Sequence, residues 1–507
     1  MLPLRDLEVG HLAAELDTTF LYDAQVFHRT GIWGPLSRDP QKAFFLGRKG
    51  AGKTALRLAL LHYGEARRRL TVELSFDEFA IDVFGNALDE LELKSGFSRK
   101  LFLRSVWRYA LVTSAIVAFL DFARGRSRDQ LDACAQLIHE PGDLPNCLSR
   151  RTRRFSLYNT FINATKSIEP VLTGDYDPDA KATFPLTPRF VGVERAFMEC
   201  LGDDASILVT VDDFDKAYER FHDVVQPHIH GLLSAVRQLR DVYANAAVFQ
   251  IKAFVPKDAV TPQQYRDMDK ILVETVEWSA NELRVMLAKR IHRTIRNTHG
   301  GVPRNVESLD AANAVLGKIF PTTFTGPPGF NDAFAWMFHF TQARPRDVLF
   351  LVRELIALKT SEEERAQALT EADIFQFLPA ASVRLAETVI AEYNARFPGL
   401  DSVIQCFASG SASIQRDEAL HRVSRLRQGK MDAQAWLDAL YEIGVLGRVL
   451  LVPMPGNVTY TKKRAVFSFH DDTSDPILSP ELVVHQMFWR KLQLVPPDWP
   501  FLYADTD

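Results

Sequence analysis

Gly47-Arg48-Lys49-Gly50-Ala51-Gly52-Lys53-Thr54 is a glycine-rich run closed by lysine and threonine. These residue types at this spacing suit the binding of a polyphosphate. The glycines let the backbone curl so that its N–H groups face inward onto phosphate oxygens. A helix starting near Lys53 and continuing through Ala55 adds the positive end of its dipole. Lys53 is expected to reach the β- and γ-phosphates, and the Thr54 hydroxyl to ligate magnesium. A second run, Asp212-Asp213-Phe214-Asp215, closes an apolar stretch. Carboxylates there suit a magnesium shell (Asp212) and the orientation or deprotonation of an attacking water (Asp213). The competing reading makes Asp213 or Asp215 the cap of a following helix.

Positioning these groups requires a particular scaffold. Residues 43–46 form a short apolar run that stops at glycine, which predicts a buried parallel strand leading into the loop. Residues 54–63 have helical periodicity. Strands are expected over 70–74, 206–211 and 246–255, with a helix over about 222–243 between the last two. Strands alternating with helices imply an α/β fold, a parallel sheet covered on both faces in an αβα core. The stretch from the first strand to Ser206 exceeds what βαβ units need, so a large helical insertion is expected over about 80–185. Helices are expected over 280–296, 330–340, 345–358 and 371–393. Near the end, a helix over 432–443 precedes strands over 447–452 and 458–469 and a last helix over 480–492. Helix followed by hairpin predicts a C-terminal winged helix. The expected domains are a core over 1–278, a helical lid over 279–395 and a winged-helix domain over 396–507.

Bulk properties narrow the class. The chain has 507 residues, 47% hydrophobic and 24% charged, the balance of a globular protein of several domains. A net charge of −4 excludes a strong global pull toward nucleic acid, so any such contact needs a local basic patch. The four cysteines, Cys134, Cys147, Cys200 and Cys406, form no CxxC pair, so no zinc site or disulfide framework is expected. The longest apolar stretch, residues 110–120, is too short to span a bilayer and reads as a buried helix. A cytoplasmic protein without a membrane partner is the expectation.

The runs LGRKGAGKTAL, LVTVDDFD and ARPRDVLFLVREL together resemble the STAND and AAA+ ATPases, close to the origin-recognition type, and more narrowly bacterial members with a GRKGxGKT loop. The resemblance implies ATP, with GTP as the alternative, and Mg²⁺ as cofactors. It also implies hydrolysis at Lys53 and Asp213. Arg344-Pro345-Arg346 matches the place of a sensor-2 arginine, so Arg344 or Arg346 is expected to read the γ-phosphate. Ala343 stands where glycine is common. Lys257, after the third strand, falls near the sensor-1 position. Phe469-His470-Asp471 is similar to the MHD triplet of STAND switches, and His485 reads as a core histidine.

Three functional classes follow. One is a nucleotide-driven switch that forms a homo-oligomer or engages a partner protein, a type that in bacteria often serves antiphage defence. A second is an ATPase acting on DNA or RNA through the basic runs Arg124–Arg128, Arg150–Arg154 and Lys462–Arg464. The third is a scaffold with little turnover.

Overall fold

The computed structural model describes residues 2–63, 70–76, 98–123, 154–156, 186, 188–201, 206–243, 248–260, 272–298, 301–327, 330, 332–426, 431–454, 457–470 and 479–499. The chain forms two compact units, Gly31–Val276 and a second made of Met1–Thr30 with Glu277–Asp507. The sequence expectation placed residues 1–278 in the core. The structure assigns the first thirty to the other unit. There, the Leu4 N–H donates to the Ala366 carbonyl at 2.7 Å, and Arg290 holds both the Val9 carbonyl and the Asp17 carboxylate.

The Gly31–Val276 unit is built on six strands: β1 (Phe44–Gly47), β2 (Leu70–Ser75), β3 (Arg154–Ser156), β4 (Ile207–Asp212), β5 (Phe249–Pro256) and β6 (Val273–Thr275). They lie in the order β3-β2-β4-β5-β1-β6, and every pairing is parallel. β1 and β4 are buried at every residue, as a sheet covered on both faces requires. β2 alternates buried and half-buried positions instead.

A long helix, Arg99–Ala123, packs with the helix His222–Val242. The latter buries Val225, Ile229, Leu232, Leu233, Val236 and Leu239, one face at 3.6-residue spacing. Gly231 permits the close crossing, since a Cβ there would lie 2.9 Å from the Leu103 Cβ. Residues 102–116 of the long helix are almost wholly buried, consistent with the apolar run at 110–120. The described parts of the region expected to be a helical insertion, 98–123 and 154–156, belong to the core: the long helix covers the sheet, and β3 extends the sheet beyond β2. Three residues are too few to show a period, so β3 left no pattern in the sequence. The basic runs at 124–128 and 150–153 lie outside the described residues, as does Asp471, and of Arg154 only the backbone strand is described.

The second unit is helical up to residue 405. Its helices include Ala280–Ile295, Pro345–Glu362 and Glu371–Tyr393. Ser279 and Glu282 form a reciprocal cap at the first, and Thr370 and Asp373 do so at the last. Glu371–Tyr393 is also long and apolar enough to cross a membrane by length and composition, although half of its most apolar window is buried inside the unit. The end of the chain carries an antiparallel sheet of β7 (Ser413–Gln415), β8 (Leu446–Met454), β9 (Asn457–Val466) and β10 (Glu481–Val484), in the order β7-β10-β8-β9. β10 corrects the expectation of a helix over 480–492. Its residues Leu482, Val483 and Val484 are fully buried, β-branched chains favour the pleat, and only a 3-10 turn over Gln486–Phe488 and a short α-helix over Trp489–Leu492 follow.

Candidate functional site

The loop that follows β1 is shaped by its glycines. Gly50 and Gly52 sit at φ +82° and +90°, the left-handed region that side chains disfavour. The helix Lys53–Tyr63 begins directly after them. Lys53, 3% exposed, folds back so that its Nζ donates to the Gly47 carbonyl at 2.8 Å and the Arg48 carbonyl at 3.1 Å. The same ammonium meets the Asp215 carboxylate at 3.0 Å. Lys49 pairs with Glu219.

β4 brings the acids to this edge. All strands are parallel, so β1 and β4 end on the same side of the sheet, with β5 between them. Val211 is level with Ala253 of β5, which is level with Phe44 of β1. Two strand spacings, about 10 Å, separate β1 from β4, with β5 between them.

Asp212 is 2% exposed. Arg57, one helical turn beyond Thr54, donates from Nε to Asp212 Oδ2 at 2.9 Å and from Nη1 to Glu73. Burial raises the Asp212 pKa to about 6; Arg57 opposes this rise, and neighbouring Asp213 reinforces it. Burial alone would lower the Arg57 pKa, but Asp212 and Glu73 outweigh it and hold the guanidinium above its usual value. Asp213 takes a left-handed backbone, φ +73°, as the residue before the helix Phe214–Arg220, and its side chain makes no capping bond. It accepts instead from Ser75 Oγ. Beneath the pair, Phe76 and Phe214 stack with centroids 4.6 Å apart.

Lys53, Asp212 and Asp213 are thus gathered at the C-terminal edge of the sheet, where the helix Lys53–Tyr63 also begins and carries Thr54 and Ala55 in its first turn. Arg57, Glu73, Ser75 and Glu219 were not singled out in the sequence, and Asp215 was read only as a cap. Glu73 and Ser75 lie on a strand with no motif. Arg57 had one sequence signal, a cation at the i+4 position from Lys53 on the predicted helix. Among the described residues, no cluster of three or more His, Cys, Asp or Glu side chains could hold a metal. The residues nevertheless suit Mg²⁺, which uses one or two carboxylates with phosphate oxygens and water rather than a protein cage. Buried Asp212, with its raised pKa, is a carboxylate whose charge calls for such a cation.

The other expected residues lie elsewhere. Lys257 follows β5 at the same edge, in the short turn Lys257–Ala259. In the second unit Arg344 is 2% exposed and binds Asp347 and Glu392, and Arg346 shares Glu392 at 2.8 Å. The Arg344 guanidinium is therefore committed inside its own unit, where the resemblance had led us to expect a phosphate reader. Ala343 adopts φ +53°, a left-handed turn that glycine would take more readily. Phe469 and His470 close the strand region, and their rings lie 4.3 Å apart. His485 is fully buried, its Nδ1 accepting the Met487 N–H, as a core histidine does.

No family model matches the chain, and no curated protein does. Among solved structures, it is similar to the Aeropyrum pernix ORC2 protein in its ADPNP and ADP complexes. That match has 10% identity over 90% of this chain and 94% of that one, with a TM-score of 0.29. It is also similar to Drosophila ORC bound to DNA, at 14% identity over 86% and 89%, with a TM-score of 0.26. Both scores fall below 0.5, so neither likeness carries an argument about this chain.

Two outcomes follow from the site. Asp215→Asn, which removes the carboxylate competing for Lys53, should tighten a fluorescent nucleotide roughly two- to tenfold in an anisotropy titration; weaker binding contradicts the competition. Asp212 is ionised above about pH 6 and protonated below it. Mg²⁺-dependent nucleotide affinity should therefore fall between pH 7.5 and 5.5, and calorimetry at the two pH values showing equal affinity would contradict this.

Proposed function

We propose that this chain is a magnesium-dependent nucleoside triphosphatase of the AAA+ and STAND kind, whose nucleotide state drives a change of conformation or assembly. The observation that carries the reading is the contact between loop and acids: Lys53 meets Asp215 at 3.0 Å, and Arg57 on the same helix meets Asp212 at 2.9 Å.

In this reading the inward backbone of Gly47–Thr54 cradles the phosphates, and Lys53 leaves Asp215 for them. Thr54 and Asp212 would hold Mg²⁺, which neutralises charge on the phosphate oxygens. Asp213, the neighbour of Asp212, orients and deprotonates the water. Aspartate is shorter than glutamate, which suits slow turnover and a switch. Lys53→Ala should abolish nucleotide binding, whereas Asp213→Asn should keep binding and lower turnover at least tenfold. Phosphate release and anisotropy, run in parallel, check both, and normal ATP consumption by either variant refutes the assignment.

A second reading, an ATPase acting on nucleic acid, draws on the β8–β9 hairpin of the other unit. Leu450 pairs with Arg464 and Val452 with Lys462, so Arg448, Arg464 and Lys462 share one face. Lys463 lies on the opposite face and pairs with Glu481. In this reading the hairpin is the wing of a winged helix. Replacing Arg448, Lys462 and Arg464 by glutamine should weaken labelled duplex DNA at least tenfold at low salt. Unchanged binding, or none by the wild type, favours the switch.

A further inference from the structure

At the edge of the sheet opposite the glycine loop, where β5 starts, the Gly31–Val276 unit holds a cavity of about 590 Å³, a volume that suits a small molecule. It lies between the end of the helix Pro188–Cys200, the end of the helix His222–Val242 and the first residues of β5. Leu239 and Ile251, both buried, line it with Met198 and Phe249 beside them. One wall is braced from behind. Tyr243 spends its hydroxyl on the Glu194 carboxylate at 2.7 Å, and Arg108 holds the same fully buried carboxylate from Nε at 2.9 Å and from Nη2. The Tyr243 ring is thereby fixed against the cavity.

Two arginines also line the cavity. Arg240 is half-buried and donates to the carbonyls of Pro40, at 2.9 Å, and Gln41. Carbonyls accept its hydrogens but leave its charge whole, and among the described residues no carboxylate touches it. Burial lowers its pKa, and the charge of Asp39 only partly opposes that. Arg195, on the helix Pro188–Cys200, is exposed and makes no ion pair among the described residues. Glu199 and the carbonyl end of the helix His222–Val242 share the rim, which opposes a polyanion but leaves place for one negative group at the arginines.

We propose that this cavity is a second ligand site, which takes a small amphipathic organic anion with an apolar body and one acidic group. The body lies against Leu239, Ile251 and the Tyr243 ring, and the acidic group accepts from Arg240 and Arg195. An anion there neutralises a half-buried guanidinium that its own carbonyl partners leave charged. The cavity shares no residue with the phosphate loop or the acidic turn, so the proposal stands apart from the triphosphatase reading.

The test is calorimetry on the full chain with anilinonaphthalene sulfonate, a probe that joins an apolar body to one anionic group. It should bind saturably at about one equivalent, and its neutral counterpart phenylnaphthylamine should bind about tenfold more weakly. Val242 lines the cavity and is 54% exposed, so Val242→Trp fills the space without entering the core. That variant should weaken the sulfonate about tenfold or more. Arg240→Gln should weaken it about tenfold, and Arg195→Gln, which releases no carbonyl, about threefold. Thermal melts confirm that each variant is folded. Excess ATP and Lys53→Ala should both leave the sulfonate Kd within about twofold, because the phosphate loop lies at the other edge. No saturable binding, equal affinity for the neutral compound, indifference to Val242→Trp, or displacement by ATP overturns the proposal, and each of these outcomes leaves the triphosphatase reading intact.

Discussion

A buried ammonium is tolerated only where oxygen atoms replace its water, and Lys53 imposes that constraint on the Gly31–Val276 unit. Its Nζ takes two carbonyls from its own loop and one carboxylate from the first turn of the helix after β4. The first two contacts require the loop to curl, hence the positive φ at Gly50 and Gly52. The third requires β4 to end within reach of β1, which the strand order delivers with β5 alone between them. Arg57 repeats the arrangement one turn further along the helix, where Asp212 and Glu73 compensate a second buried cation. Removing one member of such a pair leaves the other charged and unsolvated, so loop, helix and acidic turn stand or fall together.

That dependence explains what the sequence disclosed. The strands at 43–46 and 206–211 were legible because burial on both faces demands apolar runs, which glycine or aspartate ends sharply, and the strand at 70–74 because its apolar residues alternate. The loop was legible because few arrangements need four glycine, lysine and threonine positions at fixed spacing. Arg57, Glu73 and Ser75 were not, because their partners are set by strand order, and strand order is a long-range property with no local periodicity. β3 escaped for another reason: an edge strand of three residues has no pattern to read.

In the second unit the pattern misled in a different way. Residues 480–492 read as one helix because Leu482, Val483, Met487 and Phe488 are all core residues, and a buried strand followed by a turn gives the same apolar density as a buried helix. Arg344 and Arg346 looked like phosphate readers because they flank a proline at a helix start. Glu392, forty-eight positions beyond Arg344, takes both guanidinium groups and ties Pro345–Glu362 to Glu371–Tyr393. Burial raises the stakes of that network, since an Arg344 left without Asp347 and Glu392 would be charged in the core.

In the triphosphatase reading, the charges at the sheet edge would favour a nucleotide that arrives with its metal. Lys49, Lys53 and Arg57 are the cations of the network, and they face Glu219, Asp215, Asp212 and Glu73, with Asp213 adjoining. Within this network five carboxylates face three cations, an excess that would oppose a bare triphosphate. A divalent ion would reverse that opposition by neutralising phosphate oxygens and the excess carboxylate charge at once. Burial, opposed by Arg57 and reinforced by Asp213 and Asp215, holds the Asp212 pKa above its ordinary value. In the triphosphatase reading, phosphate and metal would favour each other's entry: a phosphate would take the place of Asp215 on Lys53, and a divalent ion would accommodate the carboxylate charge set loose.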